Sequence, residues 1–165
     1  MDMNTLLALW EFTRARLLGS LDTIEKSGQD PAKVLAWRPG PGRAHIAWQA
    51  MHCASAHDKY VNQYLKGGAP TDESRVANFG SGSTPSDVNV PTLADIRAAL
   101  ASTYDSAMAY IRSLSPESLR SKFKMPNGSE RVVGETLLLL AWHEAHHQGQ
   151  IHLTWNLYKV AHDVK

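Results

Sequence analysis

His143, His146, His147 and His152, half of the chain's eight histidines, fall within one stretch near the C-terminus. His143 and His147 are one helical turn apart, so in an α-helix their imidazoles project from the same face. Two neutral imidazoles so placed form half of a site for a first-row metal ion. The third ligand has to come from elsewhere in the chain, and His52, in an earlier helical stretch, is the best-placed donor. Three imidazoles leave a coordination position open, which suits a catalytic or ligand-binding centre better than a structural one. Zinc in such a set lowers the pKa of a water or thiol that joins it. Nickel suits imidazoles nearly as well.

The neighbouring residues have duller readings. His146 competes with His147 but lies about 100° round the helix from it. His57, His152 and His162 read as surface or packing residues. Cys53 adjoins His52 but points about 100° away, as a small core residue would. Glu144 is adjacent to a ligand and points off the metal face, so no general base and no catalytic residue is assigned. Gln150, one turn beyond His147, is a candidate outer partner of the ligands or polar lining of a cavity. Gly149, costing about 1 kcal/mol against alanine inside a helix, implies a close neighbouring backbone. Trp37, Trp48, Trp142 and Trp155 read as core or interface aromatics.

His143-Glu144-Ala145-His146-His147 also matches the HExxH pattern of zinc peptidases, in which the glutamate is the general base. The chain has too few strand signals for the sheet that accompanies that helix. Gln150 and Leu153 stand where the extended metzincin pattern requires glycine and histidine. No glutamate follows His147 to act as the ligand other zincins use. The peptidase reading is therefore disfavoured.

Long helices must carry these histidines. Leu6, Trp10, Leu17, Leu21 and Ile24 recur at helical spacing and end near Lys26-Ser27-Gly28. Asp30-Pro31 predicts a short capped helix through Trp37, and Pro39-Gly40-Pro41-Gly42 breaks the chain after it. Ile46, Ala50, Met51, Ala54, Val61 and Leu65 form the packing face of a second long helix over 44–65. Gly67 to Pro91 is rich in Gly, Ser, Pro and Asp and reads as one long loop bordering the open coordination side. Within it Gly80-Ser81-Gly82 lacks the lysine and the flanking strand of a phosphate loop. Thr92 and Asp95 form a capping box for a third long helix, with Leu93, Ile96, Leu100, Tyr104, Met108 and Ile111 as its stripe. A helical turn near Ser115–Leu119 and a small hairpin about Pro126-Asn127-Gly128 precede the last helix, 133–162. Leu137 to Leu140 is apolar all round, which predicts burial on more than one side.

The chain has 165 residues, room for a single domain, 1–165. Lys plus Arg is 17 and Asp plus Glu 16, a balance that offers no electrostatic case for nucleic acid or an anionic membrane. No apolar run approaches the roughly 20 residues of a membrane span. Met1-Asp2-Met3-Asn4 lacks the features of a secretory signal, and a single cysteine precludes an internal disulfide. These features together predict a cytoplasmic protein.

His143 to Ile151 resembles the C-terminal signature of the DinB/YfiT-like superfamily. Ala36-Trp37-Arg38-Pro39 with the segment 42–52 resembles the part of that family that supplies its first histidine. The resemblance covers nearly the whole chain. It implies an all-α, up-down-down-up four-helix bundle with a divalent ion held by His52, His143 and His147. It also implies thiol-dependent transferase or hydrolase chemistry on a small-molecule substrate, with a low-molecular-weight thiol as possible second reagent. The alternative is a non-catalytic metal-binding or stress-associated bundle; an ordered polar pocket beside the open position would favour the enzyme. Leu137–Leu140, Trp142, Trp155, Leu157 and Tyr158 exceed what one bundle stripe buries, which predicts a homodimer through the last helix.

Overall fold

Short polar caps set all but the last of the long helices of this chain, and apolar periodicity decides which face each turns inward. The computed structural model describes residues 2–164. Helix α1, Met3–Glu25, starts where the Asp2 carboxylate accepts the amides of Asn4 and Thr5. It buries Leu6, Trp10, Leu17, Leu21 and Ile24. Helix α2, Pro31–Ala36, is capped by Asp30 with proline at its start.

The second long helix differs from expectation at both ends. Helix α3 spans Ile46–His57 and opens later than predicted, because His45 Nδ1 caps it by accepting the Trp48 amide at 3.0 Å. Beyond His57 the chain continues as a π-helical segment, Asp58–Leu65, in which wider turns replace α-helical ones.

The stretch 67–91 is not one structureless loop. It contains helix α4, Glu73–Phe79, whose only apolar residues besides Ala77 are Val76 and Phe79, too few to make a readable stripe. What holds α4 is polar. Asp58 is fully buried and accepts from Asn62, from the backbone and hydroxyl of Thr71, from the Asp72 amide and from Arg75. Burial works against ionising Asp58, yet these donors together hold its carboxyl below the usual range.

Helix α5, Leu93–Ser113, opens with the Thr92–Asp95 capping box in both directions. A 3₁₀ turn, Ser118–Arg120, leads to β1, Lys122–Lys124, which pairs antiparallel with β2, Glu130–Val132, opposing Phe123 to Arg131. Helix α6 then runs Val133–Ala161. Helix α1 packs on α6, α6 on α3, α3 on α5 and α5 on α1. Among the described residues no helix is long and apolar enough to cross a membrane.

Two apolar clusters fill the interior. One gathers Leu17, Leu21, Ile24, Ile46, Ala50, Leu100, Ile151 and Trp155. The other gathers Leu6, Trp10, Val61, Met108, Ile111, Leu137 and Leu140. On three helices a polar residue interrupts the succession from one cluster to the other: Arg14 on α1, His57 on α3 and Glu144 on α6.

Three expectations for α6 are not met within the single chain. Leu137 and Leu140 are buried, but Leu138 and Leu139 remain 43% and 39% exposed, since a straight helix of one fold layer turns only part of its circumference inward. Trp155 and Tyr158 are buried in the first cluster rather than on an outer face. Gly149 has no close backbone beside it: a Cβ there would meet open space.

Candidate metal centre

His143 and His147 project from α6 with ring centroids 4.5 Å apart. His52 reaches them from α3, its centroid 4.9 Å from that of His143 and 4.8 Å from that of His147. One nitrogen from each ring lies within 4.8 Å of the others. His52 Nε2 and His143 Nε2 stand only 3.1 Å apart.

The orientation of His52 has a visible cause. Its Nδ1 lies 2.6 Å from the Phe79 carbonyl oxygen at the end of α4. A carbonyl can only accept, so Nδ1 carries the proton and Nε2 presents its lone pair to the other two rings. The Trp48 indole stacks on the same imidazole at 4.7 Å and donates to Ser83 Oγ. The crossover segment thus sets the tautomer and the plane of a residue on α3. His45, beyond capping α3, places Nε2 3.0 Å from the Ser86 carbonyl.

Burial lowers the proton affinity of all three rings. It is the leading cause for His143, held at about 4 with help from His52 and His146, and for His147, held at about 3 with help from His143 and His52. His52 is lowered by burial as well, and the Phe79 carbonyl opposes that. Near neutral pH the trio therefore consists of neutral imidazoles, the form that ligates a metal. The Nδ1 atoms of His143 and His147 are buried without a hydrogen-bond partner among the described residues. The fit to a cation rests on the donor set: His52 Nε2 and His143 Nε2 face each other at 3.1 Å and a nitrogen of His147 completes three neutral imidazole donors within 4.8 Å.

The metal-free chain should lose stability as pH falls. Unfolded histidines take up protons near 6.5, while the folded ones resist until about 4 and about 3. The unfolded state then binds more protons throughout that window, so stability is present above about 6.5 and declines below it. Urea midpoints in chelator should drop between about pH 7 and about pH 5, and drop less in His147→Ala. A wild-type midpoint unchanged over this range would overturn the account.

His146 stays out of the cluster, stacked on Trp142 at 5.2 Å with its Nε2 2.8 Å from the Gln150 amide nitrogen. Gln150 thus bonds His146 and lines a separate cavity, the second of its two expected roles. His152 meets Asn156, and His162 stacks on Tyr158. Burial drives the Cys53 thiol well above its ordinary range, with the Glu144 charge adding to it, so it is no nucleophile.

Glu144 points off the metal face as expected, but what it and His57 meet there is not what the sequence predicts. Both are 1% exposed and meet Arg14 in a buried network. Arg14 donates to Glu144 Oε2 at 2.9 Å and to the Leu100 carbonyl at 2.7 Å, and lies 3.3 Å from His57 Nδ1. Arg14 Nε and Glu144 Oε1 are also 2.9 Å apart, an ionic contact without hydrogen-bond alignment. Burial pushes the Glu144 carboxyl up and Arg14 pulls it back. His57 is held well below its ordinary range, by burial first and then by Arg14. Glu144 is thus engaged inside the core, one residue from a candidate ligand and facing away from it. Its membership was not readable, because its partners lie on two other helices.

A cavity of about 260 Å³ adjoins the trio, and both His52 and His143 line it. Gly80 and Ser81, just after α4, form part of its wall.

No curated protein matches the sequence. Among solved structures, the crystal structure of a conserved protein from Enterococcus faecalis is similar at a TM-score of 0.66 and 16% identity. The match covers 89% of this chain and 95% of that one, and it supports the fold alone. The family model described as the DinB superfamily matches residues 2–151, a span that contains His52, His143 and His147. The chain belongs to the DinB superfamily.

Proposed function

We propose that this chain is a metal-dependent enzyme in which His52, His143 and His147 hold one divalent ion, zinc or nickel, beside a small-molecule site. The observation that carries the reading is the convergence of three neutral imidazoles within 4.8 Å, two of which also line a cavity. A bound ion would supply Lewis acidity, lowering the pKa of a water or a small thiol. The chain's own contribution is positional. Phe79 and Trp48 hold the His52 ring, and Leu139 and Leu140 give the cavity apolar surface that limits water. Glu144 is ion-paired with Arg14 and is not the general base. The presence of a cavity with polar groups favours an enzyme over a closed, non-catalytic metal site.

The mutual packing of the four long helices supports an up-down-down-up four-helix bundle forming one domain. The same reading takes a low-molecular-weight thiol as second reagent, on the resemblance alone, and a cytoplasmic setting, with which the lone, buried Cys53 is compatible. Elemental analysis of protein purified without a histidine tag, followed by a screen of small thiols with electrophiles, tests the reading. It expects about one metal ion per chain and turnover that disappears in His147→Ala. A chain that binds no metal would overturn it, and a metal-loaded chain that turns nothing over would leave the non-catalytic bundle.

A homodimer through α6 completes the proposal. Leu138, Trp142, Leu153, Leu157 and Val160 are exposed along one stripe of that helix, and an apolar stripe of this length is usually covered. Light scattering should give about twice 18.2 kDa. A clean monomer mass would reject the dimer, whereas Leu157→Glu should dissociate it.

A further inference from the structure

We propose that the cavity beside the three histidines accepts a small organic monoanion with a flat apolar body, its carboxylate received by Lys59. The proposal rests on the reading of the trio as the reactive centre and names the ligand class of that site. His52, Ser55, Ala56, Lys59 and Tyr60 follow one another at helical spacing and all line the cavity. They form a stripe that begins at a candidate metal ligand and carries a cation two turns on.

The π-helical segment extends this stripe. In an α-helix, residues spaced by four drift progressively round the axis, because a turn holds 3.6 residues. A π-helical segment holds more residues per turn and reverses that drift. Tyr64 is thereby returned to the line of Ala56 and Tyr60, and it joins them on the cavity wall. The two tyrosine rings meet edge to face at 5.2 Å. With Leu139 and Leu140 opposite, they offer aromatic and aliphatic surface to a flat body.

The polar groups select the charge. Lys59 is half-buried, with its ammonium 5.9 Å over the Tyr64 ring. Among the described residues no carboxylate pairs with it. Ser55 is among the residues of the same cavity, and its Oγ is buried with no hydrogen-bond partner among the described residues. An unpartnered hydroxyl and an unpaired cation, one turn apart on a stripe, make a place for one anionic group and a hydrogen-bonding neighbour. One unpaired ammonium suits a monoanion such as a carboxylate better than a phosphate dianion, whose second charge would stay uncompensated in a part-buried cavity. At about 260 Å³ the cavity lies below the roughly 300–1,000 Å³ usual for ligand sites, which limits the body to about one ring.

Calorimetric titration of the full-length, metal-free protein with 3-phenylpropionate and with its uncharged amide tests this. Removing the metal prevents the carboxylate from binding there instead. The acid should bind about fivefold more tightly than the amide. Lys59→Met should erase that preference without changing the affinity for the amide or for zinc, and Tyr64→Ala should weaken acid and amide alike. Equal binding of acid and amide, a preference that survives Lys59→Met, or no binding of either would overturn the proposal. A Lys59-dependent preference in a chain that takes up no metal would instead retain the ligand class and sink the metal-enzyme reading.

Discussion

His147→Ala, purified without a histidine tag, should lose nearly all its bound metal, and so should His52→Ala and His143→Ala, whereas His146→Ala should keep it. The three responding residues bring one nitrogen each within 4.8 Å of the others, and His146 stacks on Trp142 outside that set. Losing an outer partner of a metal ligand costs about 10–100-fold in affinity. Losing one ligand of three should exceed that. Competition with a chromophoric chelator gives the affinity, and a parallel thermal melt separates lost ligation from lost fold. Near-stoichiometric metal in His147→Ala would reject the assignment. The loss in His52→Ala should come with a modest loss of stability, because the Phe79 carbonyl loses its donor.

The second large effect lies one residue from a ligand and concerns stability alone. Glu144→Ala would leave Arg14, 5% exposed, as an uncompensated charge in the core. Breaking a buried pair from one side costs about 3–5 kcal/mol. In a protein of this size that lowers the melting temperature by roughly 10 °C. The exposed Glu11–Arg112 pair, at 3.6 Å, is of the kind whose loss changes little. Replacing both partners, as Arg14→Met with Glu144→Leu, should recover most of the stability, since burying two apolar groups removes the desolvation cost of both charges. A Glu144→Ala protein that melts like the wild type would show that the network carries no stability. The HExxH reading expects the reverse pattern, lost peptidase turnover with an unchanged melt.

Helix-scale features were largely legible because their causes are local. The Thr92–Asp95 box, the Asp30-Pro31 start and the periodic stripes of α1 and α5 lie within a few residues of what they determine. The His143/His147 pair belongs to the same category, since one helical turn suffices to bring the rings together. Helix α4 escaped because Val76 and Phe79 are too few to show a period, and its anchor Asp58 lies in another element. The π-helical segment carries no compositional signal of its own. It continues the apolar spacing of α3, and only the hydrogen-bond register distinguishes it.

The sequence by itself determined the long helices, the absence of charge bias and the His143/His147 pair, all products of residue type and short-range spacing, and it named His52 as the third donor. Tertiary structure decided what surrounds them. It turned Glu144 and His57 toward Arg14 across 130 and 43 positions of chain, and set the Phe79 carbonyl against His52 across 27. It also left Leu138, Trp142 and Leu153 outward while drawing Trp155 and Tyr158 in. Hydrophobicity says that a side chain seeks burial, but only the packing of other helices supplies the surface that buries it. Buried polar groups likewise find partners by proximity in space, and separation along the chain carries no record of it.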